Sequence, residues 1–380
     1  MKKKIILIHN VSSIGGSGNQ FIFIIKSLIE SNKFNIQVCL KDKGPISEII
    51  EKLGVKVTYL NYLNSYPYCK SFLNYVFYIE ILKCIKSYFK LKNYFKNQDY
   101  DLIYFNSLLF FYYLPFVKKS VIHVRENWYN KKNMVQFLVI SELIKKSDCS
   151  IIYINKALKN IYKFQIKYSA VIYDFIDFKK FSVQNRERDG FLFLGGISKI
   201  KGIKEVLTAL KDLDTKLKIL GGTNNKRLHF GIKGKIKMFL YKLKIKFHHD
   251  KTLDLLDQLN SKCNNYDFTH DISGFYNTSL SSISFTEFPH ALLSIPESLY
   301  NDCNVICKKD IFSVEYGFES KNIQYVNNIE DLQNKMIKRI TEKSIKTEKK
   351  IKNEILKKFS FDLNKYKVNL FLDDFLNESC

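Results

Sequence analysis

Lys201 is the side chain whose neighbours in sequence most suggest chemistry. It follows Phe191-Leu192-Phe193-Leu194, a short apolar run of the kind buried in a parallel sheet, and the tight pair Gly195-Gly196. With Gly202 it stands at the mouth of a segment whose apolar residues, Ile203, Val206, Leu207 and Leu210, recur at helical spacing. Leu217 to Leu220 then reads as a second strand ending at Gly221-Gly222. Strand, glycine loop, helix and strand make a βαβ unit, whose first loop faces the end of the sheet where open α/β sheets bind ligands. A lysine beside glycine amides and a helix N-terminus suits a phosphate group. A surface helix lysine would occupy the same sequence position.

Four other stretches carry residue types that could do chemistry. Ser12 to Gln20 is a glycine-rich loop after the apolar run Ile5 to Ile8, with Gly15 and Gly16 at its centre. His123 lies in Val121-Ile122-His123-Val124-Arg125-Glu126, where it can be a ligand-facing group or a satisfied core histidine. Phe285-Thr286-Glu287-Phe288-Pro289-His290 and Pro296-Glu297-Ser298-Leu299 place two carboxylates near the carboxyl side. Val171 to Asp177 precedes a charged stretch. Asp212-Leu213-Asp214 has the form of a metal triplet but falls between a helix and the next strand, at the wrong end of the sheet, and reads as a solvated turn. His248-His249 and His270 lack a third ligand at metal spacing. No metal and no cofactor are expected.

The elements that must position these residues alternate strand and helix along the chain. Strands are predicted at Ile5–Ile8, Phe34–Leu40, Val55–Leu60, Asp101–Phe105, Ser120–Val124, Ser150–Ile154 and Ala170–Tyr173. Helices are expected over Phe21–Glu30, from Pro45 to a stop at Gly54, over Lys70–Phe95, and near Leu108–Val117 and Met134–Lys146. Phe178 to Asp189 is polar and charged, the best linker in the chain. The rhythm restarts at Phe191, with strands at Leu217–Leu220, Tyr266–Phe268, Ser282–Phe285, Val305–Cys307 and Ile323–Val326. Ile329–Lys358 reads as largely helical, and Phe361–Leu376 as a last amphipathic helix. The fold class is therefore α/β, with two doubly wound, Rossmann-like halves.

Composition bounds the partners. The 380 residues carry a formal net charge of +24 and are 46% hydrophobic, enough for sizeable cores and for affinity toward anions. Eight scattered cysteines with no CxxC read as free thiols in a reducing cytosol. The apolar run Ile5 to Ile8 is too short for a secretory leader, and Leu102 to Val117 is too interrupted to span a bilayer. Lys226 to Lys251 is almost purely basic and interleaves Phe230, Phe239 and Phe247 with aliphatic residues; Lys70 to Lys96 has the same character more weakly. Both suit a solvated surface helix or contact with an anionic membrane surface.

Taken in order, the glycine loop at Gly15-Gly16, the Val171–Asp177 run, the loop lysine Lys201 and the Glu287 and Glu297 stretches resemble glycosyltransferase family 4, retaining enzymes of the GT-B fold. The resemblance spans nearly the whole chain. It implies two Rossmann-like domains facing across a cleft: an acceptor-side domain over residues 1–183, a nucleotide-sugar domain over 184–360, and a helix over 361–380 that packs back on the first domain. It also implies roles. Gly15 and Gly16 let backbone amides approach the donor phosphate or the acceptor, since a Cβ would hold the ligand away. Lys201 neutralises the donor diphosphate, Glu297 accepts from the nucleotide ribose, Glu287 contacts the transferred sugar, and His123 lies near sugar and phosphate. Gly196, Ser298 and Leu299 fall in the same donor-binding motifs. His123, Lys201 and Glu287 would be the catalytic set.

The chain departs from that pattern twice. Gly196 stands where many members carry a second phosphate cation, which leaves Arg125 or Lys199 to substitute. Glu287 and Glu297 are ten residues apart, where the family has eight.

The resemblance implies a metal-independent hexosyltransferase that moves a sugar from a UDP- or GDP-linked donor to a glycan. The glycan would be lipid-linked, as in capsule or O-antigen (lipopolysaccharide) synthesis, at the cytoplasmic face of the membrane. Three alternatives stay open: a nucleotide-sugar epimerase of the same fold, a basic nucleic-acid or polyanion binder, and a nucleotide-binding relic without catalysis. The charge is spread along the chain and no recognition module appears, so no nucleic acid is expected.

Overall fold

The computed structural model describes residues 2–67, 75–127, 134–184, 186–221, 251–267, 269, 271–342 and 345–378. The chain divides into two units, Met1–Phe175 with Lys358–Cys380, and Ile176–Lys357.

The first unit is built on a parallel seven-stranded sheet of order β3-β2-β1-β4-β5-β6-β7. Its strands are β1 (Lys3–His9), β2 (Phe34–Leu40), β3 (Lys56–Tyr59), β4 (Leu102–Phe105), β5 (Ser120–Val124), β6 (Cys149–Tyr153) and β7 (Ser169–Val171). The flanking helices are α1 (Gly16–Ser31), α2 (Pro45–Lys52), α3 (Tyr75–Lys96), α4 (Met134–Lys145) and α5 (Lys156–Tyr162). Ile5 to Ile8 are buried, as a central parallel strand covered on both faces requires. Pro45 opens α2, and Gly54 follows its end with φ +78°, a conformation that glycine adopts without strain.

The second unit holds a parallel six-stranded sheet of order β10-β9-β8-β11-β12-β13. Its strands are β8 (Phe191–Leu194), β9 (Leu217–Leu220), β10 (Cys263–Tyr266), β11 (Ser281–Ser284), β12 (Asn304–Lys308) and β13 (Ile323–Val326). Its helices are α6 (Ile203–Leu210), α7 (Lys251–Gln258), α8 (Ser273–Asn277), α9 (Ser294–Tyr300), α10 (Ile311–Gly317), α11 (Ile329–Thr341) and α12 (Lys349–Phe359), the last of which ends in the first unit. The final helix, α13 (Phe361–Asn377), belongs to the first unit. There Val368, Phe371, Leu372 and Phe375 join Leu7, Phe21 and Leu28 in one core, and Asn369 Nδ2 donates to Ser27 O at 3.2 Å.

Each sheet winds outward from its first strand and then restarts on the other side. The direction reverses between β1 and β4 in one sheet and between β8 and β11 in the other. Crevices at such reversals, at the carboxyl ends of the strands, are where doubly wound sheets hold ligands.

The structure corrects several predicted elements. The first helix starts at Gly16, so half of the glycine loop is its first turn. The helix expected over Leu108–Val117 is a 3-10 segment, Leu108–Phe116; it contains Pro115, which has no N–H for an α-helical bond. The strand expected at Tyr266–Phe268 is Cys263–Tyr266, a polar edge strand with Asn264 and Asn265 exposed, which hides it from a search for apolar runs. Ile329–Lys358 is largely helical as expected, in two helices, α11 and α12. Phe178–Asp189, read as a linker, is tied into the second unit through Arg188, whose guanidinium donates to Tyr276 O and Asn301 O at 3.0 Å each. Residues 226–250 of the basic run and residues 70–74 lie outside the described residues. Cys39, Cys84, Cys149, Cys263, Cys303 and Cys307 are free and buried. No described helix is long and apolar enough to cross a membrane.

Candidate functional site

In the first unit the carboxyl ends of β1, β4, β5 and β7 converge on one polar network. Ile8 pairs with Phe105, and Phe105 with Ile122. The next residues along, His9, Asn106 and His123, therefore lie in one row across the sheet. Arg125, just past β5, ties the row together. Its Nε donates to Asn106 Oδ1 at 3.0 Å, one Nη lies 3.3 Å from His123 Nδ1, and the other pairs with Asp174 beyond β7. Arg125 and Asp174 are both buried, so the guanidinium is neutralised where it stands. That pairing leaves Arg125, expected as a possible phosphate cation, already engaged by a carboxylate of its own unit.

The network fixes both imidazole tautomers. Arg125 can only donate, so Asn106 turns its oxygen to Arg125 and its Nδ2 to His9 Nδ1, at 3.3 Å. Arg125 and the Tyr104 hydroxyl, at 2.6 Å, both approach His123 Nδ1. In each ring Nδ1 accepts and Nε2 carries the proton. Burial first, and the Arg125 charge second, lower both pKa values, that of His9 to about 3, and keep the rings neutral. Each Nε2–H is buried with no hydrogen-bond partner among the described residues. Asn155, beyond β6, likewise accepts from Leu158 N while its Nδ2 stays unpartnered among them. A row of unsatisfied donors at the carboxyl end of the sheet is a place for acceptor oxygens, since each orphan costs about 1–3 kcal/mol.

Two anchors flank the network. Glu126 accepts from Leu108 N at 3.0 Å and from the Ser107 hydroxyl, and burial pushes its carboxyl up. Gln20 on α1 exchanges two bonds with the backbone of Phe175, at 2.8 and 2.6 Å, next to Asp174. Gly15 and Gly16 sit at the N-terminus of α1, where a Cβ would meet nothing within 4 Å. Packing does not demand glycine there.

In the second unit the site is the loop after β8 and its neighbour after β11. Gly202 has φ +82°, and a Cβ on it would lie 1.7 Å from Phe285 O. Only glycine allows that approach. A second link, Glu287 N to Ile200 O at 3.0 Å, closes the two loops together. The result is a pair absent from the sequence-based expectation: Lys201 Nζ stands 2.7 Å from His290 Nε2. His290 Nδ1 lies 2.9 Å from Phe288 O, to which it must donate, so Nε2 offers its lone pair to the ammonium. Burial lowers the Lys201 pKa, and burial with the Lys201 charge lowers that of His290 to about 4. No carboxylate pairs with Lys201 among the described residues.

The expected carboxylates are separated by environment. Glu287 is exposed on the loop. Glu297 is half-buried in α9 and accepts from Tyr276 OH at 2.9 Å; loss of water around it raises its pKa to about 7. Ser298 and Leu299 point into the core, with Ser298 Oγ 2.7 Å from Ser282 Oγ. Thr286, beside Glu287, has a buried hydroxyl with no partner among the described residues, and Ser294 is the first residue of α9. Gly196 has φ +56°, and the Lys199 side chain lies outside the description. Asp212 and Asp214 are exposed in the turn before β9. Among the described residues no group of three His, Cys, Asp or Glu side chains is placed to hold a metal.

His9, Asn106, Asp174 and His290 were not singled out from sequence. Their partners lie tens of residues away, so no local spacing marks them. The one signal was position, since each stands at or beyond the carboxyl end of a strand.

Two doubly wound parallel sheets with these loops define the GT-B fold. No protein-family model matches the chain, and no curated protein matches it. Solved structures do. Anabaena HepE, crystallised with UDP and glucose, matches at TM-score 0.72 and 14% identity over 98% of this chain and 99% of that one. Sucrose-phosphate synthase from Thermosynechococcus elongatus matches at TM-score 0.68 and 12% identity over 98% and 99%. A Rickettsia africae glycosyltransferase matches at 0.66 and 14% over 99% of each chain.

Proposed function

We propose that the chain is a glycosyltransferase of the family 4 type, which transfers a hexosyl group from a nucleotide sugar to a glycan with retention of configuration. The observation that carries the reading is Lys201: a half-buried ammonium without a carboxylate partner among the described residues, on the glycine loop of the second unit. A fixed cation there stabilises the diphosphate as the bond from sugar C1 to its oxygen breaks. The acceptor oxygen takes C1, and its proton leaves with the diphosphate or solvent. Several GT-B neighbours were crystallised with UDP or UDP-glucose, which favours a UDP-linked donor over a GDP-linked one. Lys201 and the backbone amides supply the electrostatics without a metal.

Thermal unfolding with UDP, GDP, ADP, CMP and dTDP, first in EDTA and then with Mg²⁺, tests this. Near a hundredfold excess over Kd, one nucleotide should add about 2.7 kcal/mol of stability in EDTA. Lys201→Ala should abolish the shift. A shift only with Mg²⁺ sinks the metal-free account, and none with any nucleotide sinks the transferase. NMR of the product's anomeric proton decides retention.

A lipid-linked glycan of capsule or O-antigen type, met at the cytoplasmic face of a membrane, is the acceptor we favour. Helix α3 supports it. Tyr78, Leu82, Ile85 and Phe89 form an outward stripe, with Leu82 65% and Phe89 61% exposed. Lys83, Lys86, Lys90 and Lys92 stand exposed around it. Apolar side chains framed by lysines match an anionic lipid surface. The chain should sediment with phosphatidylglycerol vesicles at low salt and be released by salt, and Leu82→Glu with Phe89→Glu should stay in the supernatant. Wild-type protein that remains soluble on such vesicles ends this part of the proposal.

A further inference from the structure

We infer that His290 is the second cation of the diphosphate site, taking up a proton when a nucleoside diphosphate binds beside Lys201. This rests on the nucleotide-sugar reading above.

The geometry is that of a poised pair. The Lys201 ammonium and the His290 ring meet at 2.7 Å, and the bond from His290 Nδ1 to Phe288 O holds the ring so that Nε2 faces the lysine. The backbone brings them together at two fixed points, Gly202 against Phe285 O and Glu287 N on Ile200 O. In the free protein a second positive charge at that distance is repelled, so the imidazole stays neutral and serves as the ammonium's acceptor. Three other charged residues belong to the elements that meet here. Glu287 is exposed on the same loop, Lys308 on β12 lies 5.4 Å over the Phe285 ring, and Lys199 precedes Lys201 in the 3-10 turn. No ion pair to either member of the couple is formed among the described residues. A half-buried ammonium whose partner is a neutral base lacks an anion.

A diphosphate supplies that anion and reverses the sign of the local field. Its oxygens take the ammonium's donors, the ring's Nε2 is released, and a proton from solvent binds there. The imidazolium then donates Nε2–H to a phosphate oxygen, a charge-assisted bond. The ring thus fills the place left by Gly196, with a charge present only when the diphosphate is.

The experiment is calorimetric titration of the full chain with UDP at pH 7 in buffers of different ionisation enthalpy, with uridine as the phosphate-free control. Wild type should take up close to one proton per UDP, beyond the nucleotide's own titration, and none with uridine. His290→Gln should lose that uptake and bind UDP about tenfold more weakly. Direct observation of the His290 ring by ¹H–¹³C NMR in wild type, with and without UDP, removes any dependence on how the variant folds. A ring that stays neutral at pH 7 in the UDP complex overturns the proposal while leaving nucleotide binding intact. A wild type that binds neither UDP nor GDP fails the nucleotide reading itself.

Discussion

The hydroxyl of Tyr104 donates to Nδ1 of His123 across 2.6 Å, and this bond, with Arg125 beside it, leaves the imidazole proton on Nε2. Glutamine can mimic a ring that donates from Nε2, and alanine cannot. His123→Gln should therefore keep kcat within about tenfold of wild type, while His123→Ala loses on the order of a hundredfold, the usual effect of removing one oriented donor. Steady-state kinetics with the donor found by thermal shift would check this, and equal loss in both variants would remove His123 from a donor role.

His9 and His123 are held neutral by burial, so they bind fewer protons folded than unfolded. With folded pKa values depressed below about 6.5, their neutral state carries stability that is full above pH 6.5 and lost as pH falls below it. For His9 the loss should continue to about pH 3. Urea melts of wild type and His9→Gln between about pH 7 and 4.5 should show a shallower pH slope in the variant. Parallel slopes would mean that His9 titrates normally.

Glu297 has the opposite sign. Burial raises its pKa from 4.5 to about 7, so the folded state binds more protons than the unfolded one across that window. Its contribution is greatest below pH 4.5 and declines until about pH 7, after which it is constant. Glu297→Gln, which keeps an acceptor for Tyr276, should therefore gain on wild type as pH rises from about 5 to 8, by on the order of 3 kcal/mol. Unfolding curves at the two pH values measure it. If Glu297 instead binds ribose as the family resemblance implies, the same substitution also weakens UDP binding, so the two measurements separate a structural glutamate from a ligand.

Much of this architecture was legible in sequence because parallel strands covered on both faces must be continuously apolar. Ile5–Ile8, Leu102–Phe105 and Phe191–Leu194 all announce themselves that way. The strand at Cys263–Tyr266 did not, because an edge position tolerates Asn264 and Asn265. The site was legible where glycine forces a turn. Lys201 is found from Gly195-Gly196, but its partner His290 is eighty-nine positions away and joins it only through tertiary packing. The same is true of Arg125 and Asp174, forty-nine apart. The second acid, Glu297, accepts from Tyr276 OH, a partner twenty-one positions away that no local spacing marks.

Gly202 and Gly16 separate packing from function. At Gly202 the backbone is left-handed and a Cβ would overlap Phe285 O, so Gly202→Ala must move the β11 loop away from the 3-10 turn. Strain plus lost contact should destabilise the chain by roughly 2–4 kcal/mol and break the Lys201–His290 pair. At Gly16 the position is the first of α1 and the space around it is open. Gly16→Ala should raise stability slightly, by up to about 1 kcal/mol, because alanine is the better helix former. If the open space is where a substrate lies against the backbone, the same variant loses turnover while gaining stability. Chemical denaturation and turnover measured side by side give the answer: a Gly16→Ala protein that is more stable and fully active would make those glycines a turn and nothing more.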